Sequence, residues 1–139
     1  MSSKDKLLDN AQRRGVREAL QALIVGTEEL TDWKREVGKN ANRVSYKHPL
    51  SKRMMVRYDL DMVSDLRLLD ANVNMRNNHF GSVFGADGDE VYRRLEEYFP
   101  SDASKGYGTH GEYYVPVRDT TDAEKFLEFL KSFLDQRDE

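Results

Sequence analysis

From Arg53 onward the apolar residues of this chain fall on every second position, and that period constrains the fold more than any other feature. Met54, Val56, Tyr58, Leu60 and Met62 alternate with Met55, Arg57, Asp59 and Asp61; past Ser64 and Asp65, Leu69, Ala71, Val73 and Met75 alternate with Asp70, Asn72, Asn74 and Arg76. Successive side chains of a strand point to opposite faces, so each run reads as a half-buried strand. The spacing predicts an antiparallel hairpin of residues 54–62 with residues 66–76, in which Val56, Tyr58, Leu60, Ala71 and Val73 turn inward. Asn77 and Asn78 read as a turn, with room for a short third strand over residues 79–84.

The flanking segments carry a helical period instead. Leu7, Leu8, Ala11, Ala19, Leu20, Leu23 and Ile24 predict one long helix over residues 4–25, with Ser3 as N-cap, Gly26 as the stop and Gly15 on the apolar face. Thr27 and Gly38 bracket a second helix over residues 28–37 that would bury Leu30, Trp33 and Val37. Residues 40–51, polar and containing Pro49, read as a loop. After the hairpin, Asp87 to Glu90 resembles a capping box ahead of Val91, Leu95, Tyr98 and Phe99, and Pro100 ends that helix. Residues 101–111 read as a loop. Residues 112–117 read as a strand, with Pro116 placing it at an edge or near a strand end. Thr121 to Glu124 caps a last helix whose Ala123, Phe126, Leu127, Leu130, Phe133 and Leu134 form one stripe. The expected fold is α+β: two N-terminal helices, an antiparallel hairpin, then helix, strand and C-terminal helix on a small mixed sheet.

At 139 residues the chain suits one domain, 1–139, burying roughly two-thirds of its unfolded surface. Its 38% hydrophobic and 34% charged residues are ordinary for a globular protein. With no Cys, disulfides and thiolate chemistry are excluded, and the expectation is a cytoplasmic protein with no membrane span.

Charge is distributed unevenly. Residues 1–57 hold 13 Lys+Arg against 7 Asp+Glu, and residues 58–139 hold 9 against 18. A basic, mostly helical part (1–52) thus precedes an acidic sheet-and-helix part (53–139). The densest stretch carries Lys34, Arg35, Lys39, Arg43, Lys47, Lys52, Arg53 and Arg57 against Glu36 alone, with Trp33, Tyr46 and His48 interleaved. Lys and Arg neutralise phosphates, and flat rings stack on exposed bases, so these residues, Trp33 excepted because the helical pattern turns it inward, form the expected nucleic-acid contact. Arg13, Arg14 and Arg17 extend the surface if the first helix presents its polar side nearby.

Catalytic signatures are absent from the sequence. Asp59 and Asp61, two apart on a strand, share a face and suit a divalent cation, with Asp70 or Glu112 as a third acid. Binary patterning puts acids on a solvated strand face in any case, where Arg57 and Arg76 pair with them, so no metal or cofactor is assigned. His48, His79 and His110 stand singly, without metal-ligand spacing, although His110 beside glycines suits a general base. Phosphate-binding glycine loops and nucleophile elbows are not found. The expected function is a non-catalytic binding protein that contacts nucleic acid or a nucleic-acid-processing complex. The alternative is an acidic inhibitor, immunity-type or adaptor protein that meets a protein partner through Glu96, Glu97, Asp102, Asp119, Asp122, Glu124, Glu128, Asp135, Asp138 and Glu139. A metal-dependent nuclease is the second alternative.

Overall fold

The computed structural model describes residues 2–60, 69–105 and 111–135. Among them the chain is α+β. Helices α1 (Ser3–Arg13) and α2 (Arg17–Leu30) lead into strands β1 (Lys34–Val37), β2 (Arg43–Lys47), β3 (Met54–Asp59) and β4 (Leu69–Asn74). A short 3-10 turn (Arg76–Asn78), α3 (His79–Val83), α4 (Gly88–Tyr98), β5 (Ser104–Lys105), β6 (Glu112–Val117) and α5 (Thr120–Leu134) follow. The strands lie in the order β1-β2-β3-β4-β6-β5, and each neighbouring pair runs antiparallel, so the sheet is not the mixed one expected.

The period-two pattern pairs the strands as it predicts, but β4 is not half-buried: Asp70 and Asn72, expected on a solvated face, are buried with Leu69, Ala71 and Val73. β3 pairs with β4 through Val56↔Val73 and Tyr58↔Ala71, and these four side chains and Leu60 are buried. Met62, Asp61 and the turn expected at Ser64 and Asp65 lie outside the described residues.

Several expectations for the other segments are corrected. The single N-terminal helix is two. Gly15 takes φ +75°, the Val16 N–H donates to the Ala11 carbonyl and the Gly15 N–H to the Gln12 carbonyl, which is the Schellman arrangement that ends α1. Ser2, not Ser3, caps that helix, in a reciprocal pair with Asp5. Gly26 is no stop, since α2 runs on to Leu30. A Cβ there would overlap the Leu127 methyls, so the missing side chain lets α2 and α5 approach. The helix expected over residues 28–37 ends early, and residues 34–37 pair as an edge strand with β2, inside the expected loop. Trp33 still points inward, edge-on to Phe80 at 6.4 Å between centroids. Residues 79–83 are helical, because Phe80 and Phe84, one turn apart, both pack on Phe133.

α5 is anchored at its start by Asp119, which accepts from the Asp122 N–H at 2.9 Å; the cap therefore falls two residues before the expected Thr121. The buried stripe is Ala123, Phe126, Phe129, Leu130 and Phe133, with Leu127 packed against it. Phe126 meets Tyr58 of β3 at 5.7 Å, and the Tyr58 hydroxyl reaches the Thr27 hydroxyl of α2 at 2.6 Å. The helices thus cover one sheet face. Pro116 lies past the two residues of β6 that pair with β5, where no described strand needs its missing N–H.

Phe126→Ala removes a fully buried ring from the junction of α2, α5 and the sheet. It is expected to cost about 3–5 kcal/mol of stability, read as a lower urea midpoint. An unchanged midpoint would place α5 outside the core.

Candidate nucleic-acid interface

Alternation assigns each strand residue to a face. Arg35, Val37, Val44, Tyr46, Val56, Tyr58, Ala71, Val73 and Val115 lie toward the helices, and cross-strand register puts Lys34, Glu36, Arg43, Ser45, Lys47, Arg57, Asp59, Asp70, Asn72 and Glu112 on the other side. That second face carries the charged groups.

The fold divides the basic segment between the two ends of the β1–β2–β3 meander. Lys39, in the β1–β2 turn, and Arg43 stand at one end. There Asn10 of α1 donates to the Ala41 carbonyl at 2.9 Å, and Lys39 shares a groove with Lys6, Asp9 and Arg13. Lys34 and Lys47, directly opposite each other, stand at the far end with Lys52 and Arg53 of the β2–β3 connection. Lys34, Lys39, Arg43, Lys52 and Arg53 are exposed and make no ion pair among the described residues; Lys47 pairs with Glu36 at 2.6 Å.

The remaining four expected contact residues have other work. Tyr46 is wholly buried, its hydroxyl donating to Glu28 at 2.7 Å, so it cannot stack on a base. Arg35 bonds the same Glu28 carboxylate at 3.1 Å. His48 accepts through Nδ1 from the Leu50 and Ser51 N–H groups and so organises its own turn. Arg57 is half-buried between Glu112, at 2.7 Å, and Asp59, at 3.5 Å. β1 and β2 turn alternate residues inward, so a basic segment of linear sequence becomes two-sided.

Arg76, expected only as a partner for strand acids, joins the hairpin end. It lines a cleft of about 430 Å³ with Arg53, Met54, Asn74, Asn77 and Glu112. Because Glu112 is engaged by Arg57, the free charge there is that of Arg53 and Arg76, which make no ion pair among the described residues. Asn74 fixes the walls, its Nδ2 donating to the Met54 carbonyl at 2.7 Å and its Oδ1 accepting from the Arg76 N–H at 3.2 Å. Two guanidiniums from different segments on a braced wall suit a phosphate. Sequence spacing could not join them, since they lie on either side of two strands.

Toward the sheet centre, Asp59 and Asp70 face each other across β3 and β4 at 2% and 4% exposure. Asn72 donates to Asp70 Oδ2 at 3.0 Å. The Asn72 Oδ1 and the Arg57 Nε are buried without a hydrogen-bond partner. Burial pushes the Asp70 carboxyl up to about 7; the Asn72 hydrogen bond opposes this, the charges of Asp59 and Glu112 add to it and that of Arg57 opposes it. No group of three His, Cys, Asp or Glu among the described residues is arranged to hold a metal ion. Asp61 and His110 lie outside those residues. His79 is buried under the hairpin and held below the usual histidine range by desolvation, then by the charges of Arg53 and His48.

The acids of the C-terminal part occupy the helix layer and its flanks. Asp119 caps α5, and Asp102 pairs with Arg118 at 3.1 Å. Glu97, Glu124 and Glu128 are exposed and make no ion pair among the described residues. No described helix is long and apolar enough to cross a membrane. Comparison with known proteins brings no match to a family model, to a curated protein or to a solved structure.

The Asp70 environment gives stability a pH dependence. Between about 4 and about 7 the folded protein keeps a proton on Asp70 that the unfolded chain has released, so stability falls as pH rises through that window and levels off above it. Asp70→Asn keeps an acceptor for Asn72 without a charge. It is expected to raise the thermal midpoint more at pH 8 than at pH 5, where only the first part of the penalty has accrued; an equal shift at both values would contradict the assignment.

Proposed function

We propose that this chain binds nucleic acid, alone or within a nucleic-acid-processing complex, through the hairpin end of its sheet, and performs no chemistry on it. Lys34, Lys47, Lys52, Arg53 and Arg76 are the contact residues. The observation that carries this reading is their convergence. Three segments far apart in sequence bring five cations to one end of one sheet, and four of them lack an ion pair among the described residues. An exposed cation without a partner is free to neutralise a phosphate, which releases counterions condensed on the nucleic acid and so favours binding. At physiological salt, charges beyond about 8 Å are largely screened, so this local group governs the encounter although the whole chain carries −3. The reading places the protein inside the cell, where such a partner is met.

The acidic helix layer supports a second reading, in which Glu97, Glu124 and Glu128 attract a basic protein partner. It is the weaker one, since Glu97, Glu124 and Glu128 line none of the clefts seen among the described residues.

Fluorescence anisotropy with a labelled oligonucleotide, from low to physiological salt, tests the first reading. Arg53→Ala and Arg76→Ala are each expected to weaken binding across sequences and to flatten the log–log salt slope, by about 0.9 per contact on duplex and about 0.7 on single strands. Lys39→Ala, at the other end of the meander, should leave the slope unchanged. No binding by the parent at low salt, or unchanged slopes in both arginine variants, would remove the hairpin end from consideration.

A further inference from the structure

Residues 48–53 join β2 to β3 in a tight, closed turn. The His48 N–H donates to the Arg53 carbonyl and the Lys52 N–H to the His48 carbonyl, both at 2.8 Å. Within that frame His48 Nδ1 accepts from the N–H groups of Leu50, at 3.2 Å, and Ser51, at 3.3 Å. The Ser51 hydroxyl accepts from the Arg53 N–H and lies 3.3 Å from Nε2 of the buried His79, which ties the turn to α3. Pro49 fixes its own φ. The tip is therefore held in one shape before it meets anything.

What it holds out is Leu50, 87% exposed, against 43% for Val25, the other large apolar side chain exposed among the described residues. A lone exposed leucine on a surface is ordinary. This one is displayed by a braced turn, beside Pro49, with Lys52 and Arg53, which make no ion pair among the described residues, two and three positions after it. Lys52 also sits at φ +60°, a conformation that glycine adopts without strain and lysine does not. The position keeps a long cation where the backbone favours a residue with no side chain.

We propose that this turn is an apolar wedge for duplex DNA: Leu50, backed by Pro49, enters a base step while Lys52 and Arg53 hold the flanking phosphates. The inference rests on the nucleic-acid reading and deepens it by naming the form of the partner. Single strands are commonly gripped by stacking bases on exposed rings, but the two rings of the basic segment, Trp33 and Tyr46, are both buried. Wedging requires an aliphatic or proline side chain on a rigid support, set among cations, and unstacks the step so that the duplex kinks. A hairpin tip is also narrow enough to reach a groove floor, its strands being about 4.8 Å apart.

The test uses a duplex carrying donor and acceptor dyes at its ends and 2-aminopurine at a central step. The parent is expected to bring the ends closer and raise the 2-aminopurine signal. Leu50→Ala, whose thermal midpoint should match the parent's because the side chain is exposed, should bind about tenfold more weakly and lose both signals. Lys52→Gly relieves the positive φ and should keep or raise the midpoint while flattening the salt slope. If Leu50→Ala binds and bends DNA as the parent does while Lys52→Gly weakens binding, the wedge is wrong and the nucleic-acid reading survives. If the parent ignores DNA but sediments with anionic phospholipid vesicles through Leu50, both are overturned in favour of a membrane surface. If the parent binds neither, both fall.

Discussion

Tyr58 is the point at which the layers of this protein are joined. Its ring stands on the central strand β3, edge-on to Phe126 of α5 and to Tyr46 of β2, and its hydroxyl meets Thr27 of α2. A buried hydroxyl without a partner costs about 1–3 kcal/mol, so the Thr27 contact lets a tyrosine serve where phenylalanine would otherwise be required. The same contact fixes the height of α2 above the sheet. Gly26, one residue earlier, admits Leu127, so α2 and α5 close into a pair over β3. With both helices on that side, the other face carries the charged residues of β1 to β4, Arg35 excepted.

The placement of charge follows from this one-sided packing. Along β1 and β2 each basic residue has a direction fixed by its neighbours: Val44 and Tyr46 must point inward, so Arg43 and Lys47 point out, and Lys34 follows Lys47 by register. At the centre of the polar face the one guanidinium of Arg57 is taken up by Asp59 and Glu112. What remains uncompensated lies at the strand ends, where the turns add Lys52, Arg53 and Arg76. Strand ends and turns are also where a scaffold presents functional groups most cheaply, because changing them does not disturb the core.

The parts of this design legible in the sequence are those where one period persists. The β3–β4 hairpin and the α5 stripe repeat their apolar residues long enough to exclude the other period, and the Asp87 cap of α4 announced itself through Glu90, whose N–H it accepts at 2.8 Å. β1 and β2 were hidden because four and five residues show too few alternations, and Leu30, Trp33 and Val37 happen to fit a helical face. α3 was hidden because residues 79–84, with Phe80, Val83 and Phe84, resemble a short strand; tertiary contact of Phe80 and Phe84 with Phe133 decides the matter. At the proposed interface, composition marks the basic segment, but burial withdraws Tyr46 and internal pairing withdraws Arg35 and Arg57. Arg76 and Leu50 entered through geometry alone, one by cross-segment convergence and the other by exposure on a braced turn.

The central claim is that one end of this sheet, and not the acidic helix layer, meets the partner. Backbone amide shifts followed by NMR during titration with a short DNA duplex at low salt test it most directly. The account predicts perturbations clustered at Lys34, residues 47–54 and Arg76, fading as salt is raised, with α4 and α5 silent. Perturbations centred on Glu97, Glu124 and Glu128, or spread evenly over the surface, would contradict it.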